Sequence, residues 1–563
     1  MTADDEAFLA AIRADLDNDV PRLVYADWLE EQGNTARAEF IRVECESAST
    51  DEAAPRYRDL EDRRHDLLAA HEAEWLGDLA DYDEWFFRRG FVDEVRTSIP
   101  SVVSESRYRH PIRSVGFGLQ DGLGPEAVVD ELQCLLPSHR DFPWPTPITE
   151  LDLSRLPSYT PSEWSEWFHH WPGEQERKLH LADCGEGDEL AATLQGTTTA
   201  KLLQTLDVGT PHGPRTGRRF DVRALMLALA EGRLNILVLS NLGLNDDDLE
   251  DLLRMAPQSL RSLDLSYNSI APFAFRAFNA SDSSLESLNL SATPLGVFRL
   301  REVLRSVACR TLKTLKLDHT GSARPNLEAL LDAPFWSQAE SLHLRNSTVP
   351  TVALEAIAEN AGPANLRKLD LGQNFVRSAG VKLLADAPWT KSLTWLALDE
   401  NYLDDAAAAH LAEGFPQLRT LHLQGNNFDQ VEANDEALTP GGAAILAQAE
   451  GLKNLRLLNV GRTHLDDRAV ELLLHARHWS LSGLGLSGLD LTPRVVEMLA
   501  GSPQLARLDW LDLSDCRRLS GDALRPLAES PYLSPLCELN IHRTNAGEAV
   551  RAALRERLGR RLS

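Results

Sequence analysis

The sequence predicts an α/β solenoid, a stack of short strand–helix units, preceded by a small, mainly helical N-terminal domain. Three observations predict it. The pattern LxxLxL recurs from about residue 148 onward. Its middle apolar position returns at a spacing near 28 residues. The second half of each unit then carries apolar residues three and four apart, the helical period.

The pattern is clearest in Leu260-Arg-Ser-Leu263-Asp-Leu265, Leu366-Arg-Lys-Leu369-Asp-Leu371 and Leu393-Thr-Trp-Leu396-Ala-Leu398. Counted on the middle position, fifteen units run from residue 151 to residue 539, and one is stretched to 37 residues between 421 and 458. In a short strand successive side chains face opposite ways, so the leucines of LxL face the core and their neighbours face out. Three positions after the last leucine stands a polar or small residue, among them Asn268, Thr293, Asn374, Asn401, Asn426, Thr463, Cys184 and Cys516. A turn buried between stacked units leaves backbone groups to satisfy, and short polar side chains supply the partners. Segments such as Val381–Ala387 and Ala406–Glu413 then read as helices, closed by Pro, Gly or Ser clusters. A degenerate earlier unit falls at Ile112–Phe117.

Ahead of the repeats, Phe8, Leu9 and Ile12 form the apolar stripe of a first helix. Pro21 opens a second, carrying Leu23, Val24, Trp28 and Leu29 and stopped by Gly33; Thr35 caps a third, carrying Phe40, Ile41 and Val43. A longer charged helix is expected from about Pro55 to Trp75, and Trp85–Val95 reads as a hairpin turning at Arg89-Gly90. The expected layout is a helical domain over 1–84, a hairpin and degenerate capping repeat over 85–147, and the solenoid over 148–563.

Composition narrows the function classes. Of 563 residues 43% are hydrophobic and 25% charged, and net charge is −28. Residues 1–84 alone hold 24 Asp and Glu against 8 Arg and no Lys. Such a balance opposes a phosphate-tracking groove. No stretch approaches the roughly 20 apolar residues that span a bilayer, and the acidic N-terminus lacks the features of a secretory signal. The expected location is cytoplasmic. Six scattered cysteines without a CxxC pair suggest neither a zinc site nor a disulfide framework.

The units resemble the ribonuclease-inhibitor type of leucine-rich repeat, in which about 28 residues pair one strand with one full helix. That resemblance covers roughly residues 148–563 and implies a horseshoe, with a parallel sheet on its concave face and helices on its convex face. The run Phe8–Ile12, Asp17–Glu31 and Arg37–Arg42 resembles the repeat-companion domain found ahead of leucine-rich repeats in planctomycetes and myxobacteria. This second resemblance implies origin and layout, and carries no activity. Bacterial effector ligases with leucine-rich repeats differ, having shorter units followed by a separate helical catalytic domain.

Chemistry-bearing motifs are sparse. Asp15-x-Asp17-x-Asp19 hints at a calcium loop, but Val20 and Ala26 stand where an EF-hand needs Gly and Glu, so these acids read as helix-end residues. Trp164, Trp167, Phe168 and Trp171 share one helical face and read as packing against the adjacent repeat. His180, His343 and His422 fall between paired leucines in units too far apart to share a metal ion. No phosphate loop, GxSxG elbow or HExxH helix is present. Catalytic residues, metal ligands and cofactors are therefore not expected. The outward positions of units eight to eleven do gather Arg345, Lys368, Asp370, Trp395, Asp399 and His422. An exposed Trp among mixed charges matches the make-up of protein-interface hot spots. Trp510 repeats the feature, and the insertion at Asp429–Gly442 would stand beside the patch. The expected function is a non-catalytic scaffold (inhibitor, adaptor or sensor) that binds another protein, without nucleic acid or membrane, and is monomeric in isolation. The alternative is an enzyme or enzyme regulatory subunit with activity in the N-terminal module.

Overall fold

In the computed structural model each of the fifteen marker leucines lies inside a strand of three to five residues, with its side chain in the core. The structure describes residues 2–52, 54–97, 110–117, 148–154, 168–169, 171, 176–181, 187–210, 220–321, 324–359, 362–426, 437–476 and 478–563. The chain divides into two compact units, Met1–Leu285 and Glu286–Ser563.

The first unit begins with four helices, α1 (Ala3–Ala14), α2 (Asp19–Glu31), α3 (Thr35–Ser49) and α4 (Pro55–Leu76). Local chemistry sets their ends. Thr2 and Asp5 form a reciprocal capping box on α1. Asn18 accepts from the Val20 amide at 3.0 Å, so α2 starts before Pro21. Asn34, rather than Thr35, caps α3 by accepting from the Arg37 amide at 3.4 Å. The inner face of α2 is Arg22, Tyr25, Ala26 and Leu29, one turn apart. Leu23 and Val24, expected to join the core, therefore point outward and are 38% and 49% exposed. Trp28 is half-buried against Phe8 and Tyr25, with ring centroids at 5.5 and 5.8 Å. The core of this module joins Leu9, Ile12, Ala26, Leu29, Ile41 and Phe91.

The antiparallel hairpin of β1 (Glu84–Arg88) and β2 (Phe91–Thr97) turns at Arg89-Gly90. Parallel pairing then runs from β2 through β3 (Ser114–Phe117), β4 (Glu150–Asp152), β5 (Arg177–His180), β6 (Leu203–Asp207) and β7 (Ile236–Val238) to β8 (Ser262–Asp264). The Ile112–Phe117 segment thus supplies a strand of this ladder. Asp17 and Asp19 are held by arginines: Arg89 lies 3.8 and 3.4 Å from them, and Arg113 lies 3.3 Å from Asp17. Of the aromatic run, Phe168 and Trp171 are buried, and the Trp171 indole donates to the Ile148 carbonyl at 2.6 Å. Trp164, Trp167 and Cys184 lie outside the described residues.

Among the described residues, the second unit holds a ladder of ten parallel strands. They are β9 (Ser287–Asn289), β10 (Thr314–Lys316), β11 (Ser341–His343), β12 (Lys368–Asp370), β13 (Trp395–Ala397), β14 (Thr420–His422), β15 (Leu457–Asn459), β16 (Gly483–Gly485), β17 (Trp510–Asp512) and β18 (Glu538–Asn540). Each central leucine pairs with the next, as Leu342 with Leu369 and Leu369 with Leu396. Helices such as Arg377–Asp386 and Asp405–Gly414 follow the strands and bury one face, for example Val381, Leu384 and Leu411.

The polar column joins one turn to the next. Asn374 donates to the carbonyls of Leu344, Leu371 and Gly372 at 2.8–3.0 Å and accepts from the amides of Ser347 and Val349 at 3.0 and 2.9 Å. Threonines do less, Thr463 donating to Val460 at 2.7 Å. The Cys516 thiol donates to the Leu486 carbonyl at 3.3 Å, a structural place in this column. No described helix is long and apolar enough to cross a membrane.

Candidate functional site

Register brings the six expected residues together on the strand face of the second unit. From β11 to β14, Ser341, Lys368, Trp395 and Thr420 form one outward row, and His343, Asp370, Ala397 and His422 a second. A third row follows the strands and includes Asp318, Arg345, Gly372 and Asp399. Neighbouring strands lie about 4.8 Å apart, so side chains in each row reach their neighbours.

Trp395 is half-buried, with its ring centroid 5.4 Å from His422 and 6.2 Å from His343. The indole is thereby flanked by imidazoles, one on the adjacent strand and one two strands away. Ala397, although in an outward row, is only 2% exposed. The Lys368 side chain is exposed and makes no hydrogen bond or ion pair among the described residues.

Arg345 donates through Nη1 to the Asp399 carboxylate two units along, and also lies 3.9 Å from Asp370. Gly372 makes that reach possible. A Cβ there would stand 2.2 Å from Arg345 Nη1 and 2.8 Å from Asp399 Oδ2. Sequence reasoning missed Gly372; the available signal was a glycine in an outward row whose neighbours carry long side chains. The Arg345 amide is itself fixed, donating to Asp318 Oδ1 at 2.7 Å.

Burial governs the electrostatics of this patch. It is the main cause that raises Asp370 to about 6, outweighing the Gly372 amide and Arg345, which favour its charge. Burial also lowers both His343 and His422, which favours their neutral forms. For Arg345 burial works toward a lower value, but the Asp399 bond and the surrounding carboxylates outweigh it and the net shift is upward. His180, in the first unit, behaves differently. Burial opposes its charge, yet Asp207 and Glu150 at 3.7 and 3.5 Å raise it to about 9.

Ser341 Oγ lies 3.1 Å from His343 Nε2, and His343 Nδ1 lies 3.8 Å from Asp370 Oδ2. A nucleophile relay needs both links within about 3.2 Å. The second is too long, and Asp370 already accepts from the Gly372 amide at 2.8 Å. Ser341, His343 and Asp370 are therefore not joined as a continuous relay in this arrangement. Trp510 stands apart, four strands along, with its ring lying over Gly483 and Gly485. The insertion cannot be placed beside the patch, since residues 427–436 lie outside the described residues.

The upward shift of Asp370 carries a pH prediction. A carboxyl whose folded value, about 6, exceeds its ordinary value of 3.8 contributes stability fully present below the lower value and lost as pH rises through the upper. Asp370→Asn keeps an acceptor for the Gly372 amide and removes the buried charge. The variant should gain on the wild type between pH 4 and pH 7, as compared by denaturant midpoints across that range. A constant difference would contradict this reading of the site.

A family model described as Leucine Rich repeat matches residues 256–272. No curated protein matches the chain. Among solved structures, it is similar to the Rad7 and Elc1 complex of yeast, at 19% identity and a TM-score of 0.43, over 64% of this chain and 81% of that one. It is also similar to an internalin, inlF, from Listeria monocytogenes, at 15% identity and a TM-score of 0.30, over 60% of this chain and 81% of that one. The repeated strands, the polar column that joins their turns and the matched repeat agree with one another: the chain is an α/β solenoid that carries a leucine-rich repeat at residues 256–272.

Proposed function

We propose that the chain is a non-catalytic scaffold (inhibitor, adaptor or sensor) that holds a partner protein against Arg345, Lys368, Asp370, Trp395, Asp399 and His422. The observation that carries this reading is the half-buried Trp395, held between His343 and His422 beside the unpaired Lys368. A fixed indole loses little side-chain freedom on binding, and aromatic anchors of this kind dominate interface energetics. The Arg345–Asp399 pair already neutralises charge at the rim, while Lys368 is left to meet a carboxylate of the partner. The net charge of −28 disfavours nucleic acid as that partner. We further infer a cytoplasmic protein of bacterial origin, monomeric in isolation, whose first four helices form a repeat-companion domain.

Capture from the native host tests the reading. Wild type and Val352→Ser, a change at an exposed helix position, should recover the same stoichiometric partner. Trp395→Ala should weaken that complex about 30-fold or more, the loss that accompanies about 2 kcal/mol at a hot spot. Full retention by both Trp395→Ala and Lys368→Ala would overturn the assignment of this face.

A further inference from the structure

Helix α2 turns three large apolar side chains to solvent. Val20, Leu23 and Val24 stand at the i, i+3 and i+4 positions, so helical geometry sets them side by side on its outer face. Val20 is 64% exposed, the most of any large hydrophobic residue among those described. In the other described helices exposed large hydrophobics occur singly, as Leu227 in Val222–Ala228 and Val352 in Thr351–Glu359. Single exposed residues are ordinary, whereas a contiguous apolar stripe marks a contact surface. Trp28, one turn beyond Val24, is half-buried and packs on Phe8 of α1 with ring centroids 5.5 Å apart. An aromatic pair therefore borders the stripe.

Towards its C-terminal end the same face becomes negative. Asp27 lies one turn beyond Leu23 and Val24, and Glu30 and Glu31 stand in the last turn. No basic residue in that turn answers the negative pole of the helix. Arg42 of α3 lies 2.7 Å from both Asp27 and Glu30, so one guanidinium serves two carboxylates. It is also the one arginine of α1 to α3 near the surface, because Arg13, Arg22 and Arg37 are buried. The end of the stripe thus keeps a net negative charge that the module itself does not balance.

That charge selects what can cover the stripe. An anionic membrane surface would be repelled by it. The same face of a second copy would set Asp27, Glu30 and Glu31 against their own kind. The matching partner has an apolar ridge for Val20, Leu23 and Val24, and lysines or arginines where it passes the end of α2. An amphipathic helix supplies that pattern, since its own i, i+3 and i+4 side chains fit between those of a facing helix.

We propose that the outer face of α2 docks a basic amphipathic helix of another protein. This surface lies on the first unit and does not depend on how the strand face of the second unit is used.

Fluorescence anisotropy on the full chain tests the proposal with three labelled peptides of about four helical turns, at about 0.15 M salt to suppress unspecific attraction. The first is a Leu/Lys peptide with its leucines in one helical stripe. The second has the same composition with the leucines spread around the helix, and the third is the striped peptide with Glu in place of Lys. Saturable binding of the striped Leu/Lys peptide is expected, with both controls at least about tenfold weaker. Leu23→Gln/Val24→Gln should weaken it at least about tenfold, and Glu31→Lys about threefold, while Leu227→Ser should bind as wild type does. Glutamine is a good helix former and all these positions are exposed, so the circular dichroism of the variants should match the wild type. Equal binding of the striped and spread peptides, or of the Lys and Glu peptides, would overturn the proposal. So would affinity undiminished by Leu23→Gln/Val24→Gln, or no saturable binding of any peptide. A dimer of the free chain that Leu23→Gln/Val24→Gln dissolves in sedimentation would also overturn it, by giving the face to a second copy.

Discussion

Replacing Asn374 by alanine is expected to destabilise the second unit by about 4 kcal/mol, near the upper end for one substitution. The side chain serves five backbone groups, three carbonyls and two amides, across two turns, and it is 1% exposed. Alanine leaves those five buried groups without the partner that the amide supplies. Asn374→Asp should cost a comparable amount, because a carboxylate accepts from the two amides but repels three carbonyl oxygens. Thr463→Ala should cost only about 1 kcal/mol, since one bond within its own turn is lost. Stability in a repeat array is a sum of unit and interface contributions, so the loss should be local. Hydrogen exchange can read it: the Ser347 and Val349 amides should lose protection first. Unchanged exchange at those two amides in Asn374→Ala would show that the column does not carry the turns.

Gly90→Ala is expected to cost about 3 kcal/mol and to loosen the hairpin from the helical module. Gly90 sits at φ +87°, where an L side chain is strained, and its place against α3 is occupied. An added Cβ would stand 2.7 Å from the Ile41 Cα and 2.6 Å from its Cγ1. Ile41 is fully buried, and a backbone atom cannot rotate away as a surface side chain can. The tip must therefore lift. Limited proteolysis should find new cleavage near Arg88 and Arg89, and a fall in the thermal midpoint should accompany it. Wild-type resistance in the variant would contradict the close approach.

Much of the fold is legible in the sequence because its signals are local. Alternation within LxL decides which way six candidate residues face, and the repeat spacing then sets them side by side. The Asn column is legible for the same reason: each member answers a need created at a fixed offset. Other features depend on distance and volume. Helix α2 is apolar on two sides, so the sequence does not say that Ala26 and Leu29 face the core while Leu23 and Val24 face out. Asn34 and Thr35 are both good caps, and only the backbone selects the first. The Arg345–Asp399 bond needs the space that Gly372 leaves, which no local pattern encodes. Asp370 occupies an outward position yet is buried, because outward on a strand is not the same as exposed among long neighbours.

Site-specific photocrosslinking tests the central claim most directly. A photoreactive residue placed at Lys368, on the strand face, is compared in the native host with one placed at Val352, in the helix Thr351–Glu359. Recognition through the Trp395 patch predicts one crosslinked protein from position 368, none from position 352, and loss of the product when Trp395→Ala is added. Equal crosslinking from both positions, or a product undiminished by Trp395→Ala, would contradict it.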